Sequence, residues 1–263
     1  MSISLQLYRL RDTFFTDMAG TLATVREIGL EQVEAFAFDR VPTEYRAALD
    51  AAGLSAASGH AGLVDAEDVA RTLDAAAEVG IGLLIDPMVP AARWARAEDV
   101  ARTAERLNEV AALAAPMGIE VGYHNHSWET STLLDGRHAL EVLADSLAPQ
   151  VRLEVDAYWA SVGGADTPAL LRRLGERVAA LHIKNGVVPA EPPVIPEAME
   201  EVMAVIGPIT RAQKPAGEGD IDLEAVLAAA PQDTIKVIEL DDYDGDVLDA
   251  VRASYAWLSE RGA

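Results

Sequence analysis

The six residues His124-Asn125-His126-Ser127-Trp128-Glu129 bring two imidazoles, an amide and a carboxylate together. The run before them, from Ile119, reads as a short strand entered from the helix-ending pair Met117-Gly118. Side chains alternate along a strand, so Gly122, His124 and His126 share one face while Val121, Tyr123 and Asn125 take the other. Two imidazoles on one face are costly to bury without partners. Such a pair is either hydrogen-bonded at a surface or part of a site that binds a metal or moves protons.

Other strand-like runs carry the same kind of residue at or near their ends: Tyr8, Glu34, His60, Asp86, Asp156, His182 with Lys184, and Glu239. Four of the five histidines belong to this set, and the fifth, His138, falls in a predicted helix and reads as a surface residue. Parity groups them further. Arg152, Glu154 and Asp156 share a face, as do Ala180, His182 and Lys184, and Val237, Glu239 and Asp241. Gly122 and Ala180 are small and leave room between such faces. Converging His, Asp, His and Glu make a mixed nitrogen and oxygen donor set that suits Mn, Co, Zn or Mg as the divalent ion. A metal would also relieve the repulsion between inward carboxylates. A metal-free hydrogen-bond network that binds a polyol is the other arrangement these residues support.

Eight strand-like segments hold these residues: Ser2–Tyr8, Gln32–Ala37, Ser55–His60, Gly82–Pro87, the run from Ile119, Val151–Ala157, Val178–Lys184 and Ile235–Leu240. Helical spacing fills Thr13–Ile28, Thr43–Ala52, Ala66–Val79, Ala97–Met117, Arg137–Leu147, Thr167–Leu174, Asp222–Ala229 and Val247–Leu258. A short extra helical piece is read at Glu197–Val205. Strand–helix alternation implies a parallel sheet. Eight units in 263 residues point to a closed (β/α)8 barrel, the TIM-barrel class, as one domain over 1–263. An open doubly wound sheet would carry a glycine-rich turn after its first strand, and Arg9-Leu10-Arg11-Asp12 has none. In a barrel the C-terminal strand ends form the site.

Composition narrows the function classes. Forty-three acidic residues against 21 basic give a net charge of −22, a field that repels nucleic acid and anionic lipid. There are no cysteines, hence no disulfides and no thiolate chemistry. No apolar run approaches the ~18 residues of a membrane span. Met1-Ser2-Ile3-Ser4 runs straight into a strand with no signal pattern, so a cytoplasmic protein is expected.

Six stretches in order carry a resemblance: L-Q-L-Y-R-L-R-D (5–12), G-Y-H-N-H-S-W-E (122–129), L-E-V-D-A-Y-W (153–159), L-H-I-K-N (181–185), P-A-G-E-G-D-I-D (215–222) and V-I-E-L-D (237–241). The chain resembles the sugar phosphate isomerase/epimerase family of xylose-isomerase-like TIM barrels, from its first strand to its last. The resemblance implies a divalent metal held by Glu, Asp, His and Glu on strands 5 to 8. Asp156, His182 and Glu239 match the last three. His124 stands where the strand-5 glutamate is expected. It becomes the fourth ligand, or His126 or Glu129 replaces it, or three ligands and water suffice.

The resemblance further implies proton abstraction next to a carbonyl, giving isomerisation or epimerisation. Loss of a leaving group instead gives a lyase, of the 3-keto-glycoside β-eliminase or inosose dehydratase kind. Glu129, His126 or Glu239 would be the acid/base. Lys184 either stabilises an oxyanion or pairs with an inward acid such as Glu154. Tyr8, His60, Trp159 and Glu218 are the expected sugar contacts; Trp128 is a further aromatic near the mouth, where at least one large ring is expected in the core. Gly217-Glu218-Gly219 lacks the ending of a phosphate loop, and Glu218 would repel phosphate, which favours a neutral sugar or keto-sugar. Asp222 reads as a helix N-cap. Pro189–Pro196 is an extended piece fit for a lid, a spacer or an arm in a homo- or hetero-oligomer. A non-catalytic sugar-binding subunit is the remaining possibility, against which the inward acid pair argues.

Overall fold

Short, β-branched or leucine-rich runs buried on both faces are stable only as parallel strands covered by helices. That is how the chain folds in a computed structural model, which describes residues 2–196 and 199–262. The strands are β1 (Ile3–Gln6), β2 (Gln32–Phe36), β3 (Ser55–His60), β4 (Leu83–Asp86), β5 (Glu120–His124), β6 (Val151–Asp156), β7 (Val178–Ile183) and β8 (Ile235–Ile238). They close into a barrel in the order β1-β8-β7-β6-β5-β4-β3-β2, every pair parallel. This is the TIM barrel that the alternation predicts.

The covering helices are α1 (Met18–Ile28), α2 (Pro42–Ala52), α3 (Val69–Val79), α4 (Ala97–Ala114), α5 (Ala139–Ser146), α6 (Thr167–Leu174), α7 (Leu223–Ala229) and α8 (Val247–Glu260). In α3, Val69, Leu73, Ala76 and Val79 form the buried stripe, and the helix stops at Gly80 with φ +87°, a conformation that disfavours any Cβ. The side chains of Asp17, Asp68, Asp166, Asp222 and Asp246 cap five of these helices, so part of the acidic excess sits where helix dipoles favour it. Among the described residues no helix is long and apolar enough to cross a membrane.

Departures from the predicted elements have local causes. Tyr8 lies in a 3-10 turn, Tyr8–Leu10, beyond the end of β1. The helix predicted over Thr13–Ile28 is broken because Asp17 caps α1, leaving Arg11–Phe14 as a separate turn. Arg137–His138 pairs with Leu133–Leu134, and His138 then caps α5, so it serves a helix end. The extra helix runs over Met199–Arg211, while Glu197 and Ala198 of the predicted piece lie outside the described residues.

The segment from Val187 to Ala212 leaves and re-enters the barrel through a narrow neck. Asn185 and Gly186 pair antiparallel with Lys214 and Gln213. Val187 N–H donates to Ala212 O at 3.2 Å.

Candidate active site

Strand register decides which side chains meet. Gln6 is level with Glu34, Glu34 with Ser58, His124 with Glu154, and Asp156 with His182. All but Asp156 form a deep polar tier joined by His60. Glu34 accepts from Gln6 Nε2 (2.8 Å), Ser58 Oγ (2.6 Å) and His182 Nε2 (2.7 Å). Glu154 Oε2 lies 2.7 Å from His60 Nε2, 3.0 Å from His124 Nδ1 and 3.1 Å from His182 Nε2. Burial alone would raise both carboxyls, but the facing imidazoles outweigh it and hold Glu154 near 2 and Glu34 well below the usual range. In turn burial disfavours imidazolium, yet the carboxylates raise His60 to about 9 and His182 well above its ordinary value. His124 goes the other way: burial first, then the charge of His182, keep it neutral.

These hydrogen bonds fix which nitrogens remain for the upper tier. His182 uses Nε2 below, so Nδ1 faces Asp156 Oδ2 at 3.7 Å and Glu239 Oε2 at 3.5 Å. His124 donates from Nδ1, so the bare Nε2 faces Asp156 Oδ2 at 3.9 Å. Asp156 Oδ2 and Glu239 Oε2 are buried against the Lys184 ammonium, and His182 Nδ1 is buried with no hydrogen-bond partner among the described residues. They converge within 4.8 Å of one another. Buried orphaned donors and acceptors are rare in folded proteins, and this set has the chemistry of a divalent-metal site. The residues present therefore fit a metal. The deep set of His60, His124, Glu154 and His182 is equally close-knit. Its nitrogens already face carboxylate oxygens at hydrogen-bond distance, which holds the imidazole rings in a fixed orientation.

Lys184 stands among the upper carboxylates. Its Nζ lies 2.9 Å from Asp156 Oδ2 and 3.0 Å from Asp241 Oδ2, and it also contacts Glu239 Oε2. Burial opposes its charge, but Asp156 and Asp241 prevail and keep its pKa above the usual lysine value. The partner is thus not Glu154. Asp241 is further held by Trp159 Nε1 at 3.0 Å and by the Gln213 amide.

A cavity of about 710 Å³ opens over this cluster. Tyr8, His60, His124, His126, Trp159, His182 and Glu239 all line it, as the sequence reading expects. His126 is half-buried, stacks flat on Trp128 with centroids 4.6 Å apart, and has no partner for its buried Nδ1 among the described residues; burial lowers its pKa to about 4. Trp128 is a core residue whose Nε1 donates to Val89 O at 3.1 Å.

Four expected site residues do not line the cavity: Asp156 and Lys184 are buried within the cluster, and Glu218 and Glu129 lie away from it. Glu218 is exposed on its loop. Gly219 packs so tightly that a Cβ there would come within 2.2 Å of Gly186 N, so the inner side of the turn is backbone, with no room for a side chain. Glu129 is carried away by the one-turn helix Trp128–Ser131. Its carboxylate accepts from Tyr123 OH (2.6 Å) and from the His126 N–H (2.9 Å), on the outward face of β5. It clamps the turn after β5 and is not among the residues that line the cavity.

Burial raises the Glu129 carboxyl from 4.5 to about 8. A carboxyl raised on folding stabilises fully below its unfolded pKa, and that contribution is lost as pH rises through the folded value. Glu129→Gln is therefore expected to flatten the fall in stability between pH 5 and 8 by a few kcal/mol. Urea unfolding across that range checks it; a variant with the wild-type slope would show that Glu129 folds ionised.

Glu34, Asp241 and Gln213 hold the site without having been assigned roles from sequence, and Glu154, expected there only as a partner for Lys184, faces the imidazoles instead. Inward parity was the available signal for Glu154 and Asp241.

The profile described as "Xylose isomerase-like TIM barrel" matches residues 22–261. A sugar phosphate isomerase/epimerase from Parabacteroides distasonis has a similar structure, with 21% identity, TM-score 0.77, and 98% of this chain and 93% of that chain covered. An L-ribulose 3-epimerase is 15% identical with TM-score 0.72, covering 99% of this chain and 94% of that one. The probable 3-DHS dehydratase AsbF of Bacillus anthracis is 16% identical with TM-score 0.69, covering 99% of this chain and 100% of that one. At these identities the likeness is one of fold. No curated protein sequence matches the chain.

Proposed function

The chain belongs to the xylose isomerase-like TIM barrel family, and from that premise we propose that it is a divalent-metal-dependent isomerase or epimerase of a sugar or keto-sugar. The observation that carries the reading is the convergence of three buried atoms, Asp156 Oδ2, His182 Nδ1 and Glu239 Oε2, with the bare Nε2 of His124 beside them.

His124, Asp156, His182 and Glu239 hold the cation. When bound, it supplies Lewis-acid polarisation of a carbonyl and an adjacent hydroxyl. Glu154 and Glu34 keep Nδ1 of His124 and Nε2 of His182 occupied as donors, so the other nitrogens stay aimed at the site. His126 lines the cavity and takes the proton next to the carbonyl. Lys184 brings a fixed positive charge to the oxygen that becomes anionic, and Asp241 keeps it paired when Asp156 and Glu239 serve the cation. Trp159 covers this charge cluster from water.

A lyase on the same scaffold is the second reading. It is favoured by His60, a further imidazole on the cavity held protonated by Glu34 and Glu154, which suits delivery of a proton to a leaving group. The test is deuterium uptake from D2O by a panel of keto-sugars, followed by NMR. Exchange without elimination supports the isomerase or epimerase. Elimination supports the lyase. Sugar binding with no exchange on any member would sink both and leave a binding subunit.

A further inference from the structure

His126 stands past the end of β5, which closes at His124. Strand pairing with β6 ends there too. No ladder hydrogen bond fixes the backbone of His126, so its ring needs other supports. Among the described residues, three aromatic rings lie near it. His124 meets it edge-on at 5.2 Å, and Trp159 is tilted at 5.9 Å. Of the three, only Trp128 lies flat on it, 4.6 Å away and within 2° of parallel.

The supports of His126 lead back to one buried peptide, that of Val89. Trp128 Nε1 donates to Val89 O at 3.1 Å, and Trp94 Nε1 donates to the same oxygen at 3.2 Å. The Val89 N–H donates to Tyr123 OH at 3.3 Å. Tyr123 OH donates to Glu129 Oε1 at 2.6 Å, and Glu129 Oε2 accepts the His126 N–H at 2.9 Å. The circuit closes on His126, which is held by its backbone through Glu129 and by its ring through Trp128. Packing does not enclose the indole on every side. Trp128 borders a second cavity, of about 390 Å³, with Ala91, Ala92 and residues 192–196. Its hydrogen bond to Val89 is therefore what keeps it against the imidazole.

We propose that Trp128 is a positioning residue: its indole, hung from Val89, holds the His126 ring at the angle from which it takes the substrate's proton. This rests on the reading of His126 as the base. A base acts only within ~2.6–3.2 Å of the atom that gives up the proton. A misplacement of about 1 Å costs on the order of a hundredfold in rate. Trp128 does not line the catalytic cavity, so its effect falls on kcat and leaves KM alone.

The experiment follows deuterium uptake from D2O by the 2-ketohexoses, with Mn present, in the wild type and in His126→Ala, Trp128→Leu and Trp128→Phe. Leucine removes the stack and the bond to Val89; phenylalanine keeps a ring and loses the bond. His126→Ala is expected to abolish exchange. Trp128→Leu should lower kcat on the order of a hundredfold with KM within about twofold of wild type, and Trp128→Phe should fall between. A second readout needs no substrate: the histidine ring protons in the NMR spectrum of the chelator-treated protein. Those of His126, assigned by their loss in His126→Ala, should lie upfield under the indole ring current and lose that shift in Trp128→Leu. Wild-type kcat in Trp128→Leu would overturn the proposal, as would wild-type kcat in Trp128→Phe should the leucine variant fail to fold. A loss confined to KM, or His126 protons without an upfield shift in the wild type, would overturn it as well. Wild-type exchange in His126→Ala would instead remove the reading of His126 as the base, and this inference with it.

Discussion

Asp156→Asn is expected to abolish retention of a divalent ion and to lower deuterium exchange at least about a hundredfold, with the fold intact. The two oxygens of Asp156 have separate duties. Oδ1 caps the short helix Ala157–Val162 by accepting the Trp159 N–H at 2.8 Å, and Oδ2 faces His182 Nδ1 and the Lys184 ammonium. Asparagine can keep the cap through its carbonyl oxygen while presenting an amide NH2, which has no lone pair for a cation, where Oδ2 stood. A lost Lewis acid removes several kcal/mol of transition-state stabilisation, and each ~1.4 kcal/mol is a factor of ten. Asp156→Ala removes both duties and should cost about 1 kcal/mol more stability for the cap. Elemental analysis after dialysis without chelator, with exchange followed by NMR, decides the matter. Full metal retention by either variant would dismiss the ligand set.

Lys184→Met should make stability depend on metal far more than it does in the wild type. In the native protein one ammonium answers Asp156, Glu239 and Asp241. Methionine fills a similar volume but leaves those carboxylates facing one another. Removing one partner of a buried ion pair costs ~3–5 kcal/mol, and that loss is expected in chelator. A divalent ion replaces the missing charge at Asp156 and Glu239, so Mn, Co or Zn should restore much of it. Because the ammonium no longer competes for the same oxygens, metal affinity should rise about tenfold, worth ~1.4 kcal/mol. Exchange should nonetheless fall, since the charge beside the oxyanion is gone. Denaturation with EDTA and with metal, paired with a metal titration, separates these effects. Equal stability of variant and wild type in EDTA would mean that Lys184 is not the counter-ion of the cluster.

The barrel and the upper tier were legible in the sequence because both rest on simple periodicities. Alternation on β6, β7 and β8 puts Asp156, His182 and Glu239 on inner faces whatever the details of packing. Glu129 was not legible in this way. It lies past the end of β5, and the sense of the next turn decides whether its carboxylate enters the cavity or returns to Tyr123. Glu218 failed for a related reason, since the close packing of Gly219 on Gly186 is a contact between distant loops. The deep tier depends on register across the barrel. Glu34 meets His182 across 148 positions of sequence, and no local pattern announces that pairing. Lys184 was placed on the right face, but its choice of Asp156 and Asp241 over Glu154 follows from height along the barrel axis, which parity does not report.

The neck at Asn185–Gly186 and Gln213–Lys214 bears on how such an enzyme changes over evolutionary time. The segment between its two sides contributes Met203 and Ile206 to the cavity. By contrast, each of the four residues proposed to hold the cation belongs to a barrel strand or directly follows one. Because the two ends of the segment leave the barrel side by side, one replacement of the stretch could exchange part of the cavity lining without cutting a strand. Descendants of one ancestral catalyst could in this way come to accept different molecules while inheriting the same reaction, with recognition and chemistry under separate selection.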